Sequence, residues 1–273
     1  MEWLDFILAA AVVAYAIGCF QAIRYLIHFD PVFETVAFGW TRWGIGFQTL
    51  FLALLWGLNG YAPVTNIPEI LAVLAWSLGI AMGIGRRKVA APLLSSLFLP
   101  FIFLLSLFAL GAEFKWSDSM SVLLTEPLIA AHIFLTLLGY ALFTLGFGVG
   151  ITYWLQESQI KRHEFKKWAN NLPALELLES LTVFYTAWGF VFWSAGLGLG
   201  VFQAFKVWGG LPYTDPKILG SFSVLAIYAV FFLGRWGLGL RGKKTMFWAL
   251  AGYLLALFTF VGVQVFMNSR HIY

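Results

Sequence analysis

Residues 180–235 read SLTVFYTAWGFVFWSAGLGLGVFQAFKVWGGLPYTDPKILGSFSVLAIYAVFFLGR. Two apolar runs, 180–206 and 218–235, flank a ten-residue segment, Trp208-Gly209-Gly210-Leu211-Pro212-Tyr213-Thr214-Asp215-Pro216-Lys217, rich in turn formers. A helix needs roughly 20 mostly apolar residues to cross a bilayer, and both runs are of that order. Working outward, six more runs of this kind lie near 3–26, 36–58, 68–85, 91–112, 127–155 and 246–268. No ninth run fits, no remaining stretch is long enough for a soluble domain, and no repeat of fixed period is visible. The sequence therefore predicts an all-α polytopic membrane protein, a bundle of about eight transmembrane helices forming one integral membrane domain over residues 1–273.

Composition supports this. The chain is 61% hydrophobic and only 11% charged, against about 25% charged in a soluble domain, so there is too little polar surface to cover a water-soluble globule. The net charge of +4 comes from basic residues clustered between apolar runs, a pattern that reports membrane orientation and argues against nucleic acid as a partner. A single cysteine, Cys19, excludes an intramolecular disulfide and a cysteine-based metal cluster. The first run lacks a preceding basic region and a small-residue cleavage site, so it reads as a retained helix.

Positive charge sets the expected orientation. Arg24, Arg42, the group Arg86, Arg87 and Lys88, the group Lys161, Arg162, Lys166 and Lys167, and the group Arg235, Arg241, Lys243 and Lys244 all fall on one side if eight runs cross. That side is read as cytoplasmic. Both termini and the 208–217 segment are then outside. The connection 59–69, with Gly60, Pro63 and Pro68, reads as an ordered outer turn. The longest cytoplasmic connection, 156–179, is polar and charged.

Few residues can carry chemistry. His132 lies about six residues into the fifth run, roughly 9 Å from its outer end. A polar group at that depth faces the bundle interior and has a partner, which fits either a structural histidine or a ligand. Gly139, Gly146 and Gly150 free one face of the same helix from side-chain bulk, for close helix packing or for a flat cofactor. His271 follows the eighth run, on the same side as His132 and the 208–217 segment. Taken alone it is a polar terminus. Two neutral imidazoles on one face of a membrane bundle also suit the axial positions of haem iron. Aromatic residues of the intervening segment would then cover the porphyrin edge. His28 and His163 fall across the bilayer among charged residues and read as solvated. Asp215-Pro216 initiates a turn, and Lys217 beside it is a cation within reach of a propionate. No nucleophile elbow, phosphate loop, zinc signature or dinucleotide fingerprint occurs, nor a chain of intramembrane carboxylates, so no enzymatic activity is expected.

These residues resemble the cytochrome c assembly protein family, the group of CcmC, CcmF, CcsA and the HemX-like branch. The likeness covers most of the chain and is strongest over 126–273. His132 followed by Leu138-Gly139-Tyr140-Ala141, Gly150 to Tyr153 and Gln156-Glu157 resembles the helix before the family's signature loop. Leu172-Pro173 to Glu179, Gly189-Phe190, the segment Gly60 to Trp76, Arg241-Gly242 and His271-Ile272-Tyr273 also match. The signature runs Trp-Gly-x-x-Trp-x-Trp-Asp, often followed by Pro-Lys-Glu. Here Trp208, Gly209, Asp215, Pro216 and Lys217 stand in register, while Pro212 and Thr214 replace the later tryptophans and Ile218 replaces the glutamate. Gln48 stands where many members carry a membrane-embedded histidine, and glutamine is a poor iron ligand.

The resemblance implies a haem-binding, haem-handling protein of the cytoplasmic (inner) membrane that supports cytochrome c assembly. It would hold non-covalent b-type haem on the outer side. His132 and His271 would be axial ligands, Trp208 and Tyr213 the ring cover, Asp215 the loop anchor and Lys217 a propionate contact. Expected partners are haem, the lipid bilayer, and an apocytochrome c or a second assembly subunit. Two alternatives remain at this level. A HemX-like regulator of haem biosynthesis would bind a cytoplasmic enzyme through 156–179, and a permease would carry another small molecule.

Overall fold

The computed structural model describes residues 2–86, 91–111, 125–162, 172–210 and 213–262. Eight α-helices run through them: α1 Glu2–His28, α2 Pro31–Asn59, α3 Ile67–Arg86, α4 Ala91–Gly111, α5 Pro127–Arg162, α6 Leu175–Trp208, α7 Pro216–Phe232 and α8 Lys243–Leu257. Short π-helical turns, Leu233–Gly237 and Phe258–Gly262, extend α7 and α8. The described residues contain no strand. Each predicted run coincides with one helix. Seven of these helices are long and apolar enough to cross a membrane. The exception is α2, whose 29 residues suffice in length but include Arg42, Gln48, three tryptophans and four glycines.

The chain divides into two compact units, Met1–Ala141 and Leu142–Tyr273. In the first, α1 packs against α2 and α4, and α3 against α4 and α2. Phe29 and Asp30 alone connect α1 to α2, with Phe29 in the left-handed region at φ 55°. The Asp30 carboxylate accepts the Val32 N–H at 2.9 Å and Pro31 occupies the first turn. Such a cap and proline satisfy and pre-shape a helix start. The hairpin thus returns α2 alongside α1.

The core of this unit is organised by small residues. A Cβ on Gly44 would lie 2.5–2.9 Å from three ring atoms of Tyr15, and one on Gly79 would lie 2.9 Å from Ile45. The Tyr15 ring therefore lies directly against the bare backbone of α2. One turn further along α2, its hydroxyl donates to Oε1 of Gln48 at 2.7 Å. The Gln48 amide nitrogen donates to the Ala72 carbonyl at 3.0 Å and to the Ser106 hydroxyl at 3.4 Å. A fully buried amide is thereby satisfied by α1, α3 and α4 together, as an apolar surround requires.

The 59–69 connection is the ordered turn its prolines and glycine predict. Gly60 ends α2 at φ 75° with its N–H bonded to the Trp56 carbonyl. Ala62, Val64 and Thr65 are buried. The Asn66 side chain accepts the Glu69 N–H at 3.0 Å. Glu69 is fully buried and reaches back to accept both the N–H (2.6 Å) and hydroxyl (2.8 Å) of Thr65. This is a capping box displaced by one residue.

In the second unit α8 packs against α7 and α6. Phe143 stacks on Tyr228 with ring centres 4.4 Å apart, and Phe190 meets Tyr228 edge-on. Gly252 admits the Tyr228 ring, since a Cβ there would lie 2.7 Å from it. The α5 glycines serve the same purpose. A Cβ on Gly146 would lie 3.1 Å from Thr186 Oγ1, and one on Gly150 3.3 Å from Leu250. Close packing by α6 and α8 fills this face, so at these two positions it offers no cradle for a flat cofactor.

The predicted boundaries differ mainly at α2, which starts at Pro31, five residues before its apolar run, and at α5 and α6. Helix α5 continues past its apolar run to Arg162, where Lys161 pairs with Glu157 at 2.6 Å, a favourable i,i+4 arrangement near a helix C-terminus. Helix α6 starts at Leu175, five residues before the apolar run. Near its start, Glu179 accepts from Arg235 (2.6 Å) with one oxygen and from the Gly242 N–H (3.0 Å) with the other. Arg235 also donates to the Leu240 carbonyl at 3.1 Å. Together these bonds close the turn between α7 and α8.

Candidate functional site: the α6–α7 loop and His132

The loop after α6 is shaped by its own sequence. Trp208 is the last residue of α6, and Gly209 caps it at φ 71° with its N–H bonded to the Phe205 carbonyl at 3.1 Å. Glycine is needed there because a side chain strains the left-handed conformation. Pro212 lies outside the described residues. Tyr213 and Thr214 form a turn, and the Tyr213 side chain is 69% exposed.

Asp215 ends the loop as the N-cap of α7. Its carboxylate accepts the Lys217 N–H at 2.9 Å, and Pro216 fills the first helical position. Only 5% of Asp215 is exposed, so the cap is held within the protein. Lys217, the second residue of α7, is half-buried. A cation at a helix N-terminus is disfavoured by the macrodipole, and the adjacent Asp215 charge offsets that. The geometry makes Asp215 the cap of α7 and sets Lys217 shortly after the exposed Tyr213 turn.

His132 belongs to the first unit, on the second turn of α5, and is half-buried. Its backbone carbonyl accepts the Thr136 hydroxyl at 2.9 Å. Beside it on α5, Phe134 stacks on Trp56 at the end of α2 with centres 5.7 Å apart. Of the expected site residues, Trp208, Tyr213, Asp215 and Lys217 thus share one loop of the second unit. His132 lies on a helix end of the first, and His271 lies outside the described residues. His28, at the end of α1, is exposed.

Among the described residues, no three His, Cys, Asp or Glu side chains converge on a point that could hold a metal ion. Haem sets a smaller demand, because the porphyrin supplies four nitrogens and the protein at most two axial ligands. An imidazole on an apolar helix, an exposed phenol ring and a lysine at a capped helix start are the donor types such a ligand uses.

Sequence reasoning missed two polar centres, one buried and one half-buried. Glu69, at the start of the 68–85 run, is fully enclosed; the spacing Asn66-x-x-Glu69 is the signal that marks it. The Glu179–Arg235 pair, 56 residues apart, has no local signature.

The helices and this loop define a polytopic, all-α membrane protein with an aromatic, helix-capped loop between two apolar helices. Residues 64–271 match the family described as Cytochrome C assembly protein, and the chain belongs to that family. It is 26% identical over 247 residues to the cytochrome c biogenesis protein CcsA of Prochlorococcus marinus (strain MIT 9301), covering 82% of this chain and 80% of that protein. It is 27% identical over 219 residues to the protein HemX of Bacillus subtilis (strain 168), covering 78% of each.

Proposed function

We propose that this protein binds haem and handles it in support of cytochrome c assembly, on the outer side of the cytoplasmic membrane. The observation that carries the reading is the α6–α7 loop. The family residues Trp208, Gly209, Asp215, Pro216 and Lys217 stand in register, and the two that shape backbone, Gly209 and Asp215, cap the helices on either side. A loop fixed at both ends holds its ring and cation in place without the ligand having to order them, which lowers the cost of binding.

In this reading haem is cargo, and the protein holds it without transforming it. His132 and His271 supply axial imidazoles, Trp208 and Tyr213 cover the ring, and Lys217 meets a propionate. Gln48 is fully occupied by Tyr15, Ala72 and Ser106, which supports a single haem with no ligand at that depth. With all eight helices crossing, every basic cluster falls on one side, which supports basic connections in the cytoplasm and both termini outside. The partner that receives or supplies haem is an apocytochrome c or a second assembly subunit. The deciding experiment is the absorption spectrum of protein purified from haem-replete cells, before and after dithionite. A Soret band that sharpens and shifts on reduction is expected. Protein that carries no haem and cannot be reconstituted overturns the proposal.

A further inference from the structure

A cleft of about 450 Å³ opens beside the last turns of α5 and the first residue of α8. Trp154, Leu155, Ser158, Lys161 and Arg162 line it from α5, at spacings that put them along one side of the helix. Lys243 closes it from α8. Three cations face one carboxylate, Glu157, which already holds Lys161 at 2.6 Å. Among the described residues neither Arg162 nor Lys243 has a carboxylate partner.

The cleft is graded along the helix. Leu155, 51% exposed, and Trp154 lie seven residues before Arg162 and Lys161, about 10 Å at the α-helical rise. The 36 residues of α5 extend roughly 54 Å, well beyond a hydrocarbon core of about 30 Å. Its last turns therefore emerge where lipid headgroups lie. An apolar floor next to a cationic rim across one membrane boundary matches an amphiphile whose phosphate is at the rim. The volume accommodates a headgroup and the first carbons of its chains.

We propose that this cleft binds the phosphate of an anionic phospholipid, with Arg162 and Lys243 as its principal cationic contacts. The excess of positive charge selects a net-negative headgroup over a zwitterionic one. The shared chemistry with a soluble phosphate ester is the phosphate itself; the apolar floor at Leu155 is what favours the lipid.

The test uses the full-length protein in mild detergent and native mass spectrometry, with phosphatidylglycerol, phosphatidylcholine or glycerol phosphate added. Phosphatidylglycerol adducts are expected to exceed phosphatidylcholine adducts by about fivefold or more, the order of one cation's contribution near a lipid surface. The double variant Arg162→Gln/Lys243→Gln should lose phosphatidylglycerol by about tenfold or more. Lys206→Gln, which removes a charge at the other end of α6, should bind as the wild type does. Leu155→Asp, which places a carboxylate in the cleft, should lose the lipid by a different chemistry and decides the matter if the double variant does not fold. Equal binding of both lipids, or wild-type retention by either cleft variant, overturns the proposal. Displacement of the lipid by glycerol phosphate assigns the cleft to a soluble ester and overturns it too.

Discussion

The Tyr15 hydroxyl donates to Gln48 across 2.7 Å, and neither residue has any exposed surface. Tyr15 reaches that position only because Gly44, one turn before Gln48, has no side chain. Removing the donor strands Oε1 of Gln48 in an apolar core. Tyr15→Phe and Gln48→Leu should each lower stability by about 0.6–1.7 kcal/mol, the range of interhelical hydrogen bonds in membranes. Thermal unfolding in detergent checks this. The haem spectrum should be unchanged in both variants, and a shifted Soret band in Gln48→Leu would reveal a deeper haem site.

Gly44 and Gly46 make a paired control. Gly44→Ala forces a Cβ to within 2.5–2.9 Å of the Tyr15 ring, whereas a Cβ on Gly46 meets nothing within 4 Å. Gly44→Ala should cost about 1–3 kcal/mol. Gly46→Ala should be neutral or slightly stabilising, since alanine is the better helix former. Melting temperatures that fall equally for both would contradict the packing described for α1 and α2.

The proposed topology separates the histidines by side of the membrane. His132→Ala should open one axial position, shift the spectrum towards high spin and release much of the haem. His271→Ala should act in the same direction and more mildly, because water can take the vacated position. His28→Ala and His163→Ala should leave the spectrum as it is. Control of the spectrum by either of the latter pair would place the haem on the opposite side.

Asp215 and Lys217 divide architecture from binding. Asp215→Ala removes the α7 cap and should cost about 1 kcal/mol, while Asp215→Asn, also a good cap, should recover most of it. Lys217→Ala should weaken haem retention without moving the Soret maximum, since the iron ligands remain. Dilution or haem-transfer assays to apomyoglobin measure the retention.

Orientation is open to direct labelling. Single cysteines at Ser119 and Lys166, in a Cys19→Ala background, should react with an impermeant maleimide from opposite sides of intact cells or inverted vesicles. Labelling of both from outside would contradict eight crossings.

Much of this architecture is legible because membrane thickness imposes a length on each apolar run, and Gly-Pro-Asn segments mark where runs stop. Hydropathy marks the bilayer, though, and a helix need not end there. Glu157 and Lys161 carry α5 onward by i,i+4 pairing, and Leu175–Glu179 start α6 early. The loop was readable because Gly209 and Asp215-Pro216 are caps with local signatures. The Gln48 centre was not, because its partners lie 24, 33 and 58 residues away, a pairing only the folded bundle reveals. The burial of Glu69 was not legible for a related reason: it depends on the chain folding back so that Thr65 donates to it.

The Glu179 carboxylate also bears on how the chain is made. During synthesis Glu179 precedes Arg235 by 56 residues and Gly242 by 63, so it leaves the ribosome with neither partner in existence. The closing hairpin of α7 and α8 then arrives at a receptor already in place, and one carboxylate receives both edges of its turn. Insertion of the last two helices and their docking are thereby coupled. In a chain truncated before Arg235, α6 would carry Glu179 with neither its cation nor its second hydrogen-bond donor.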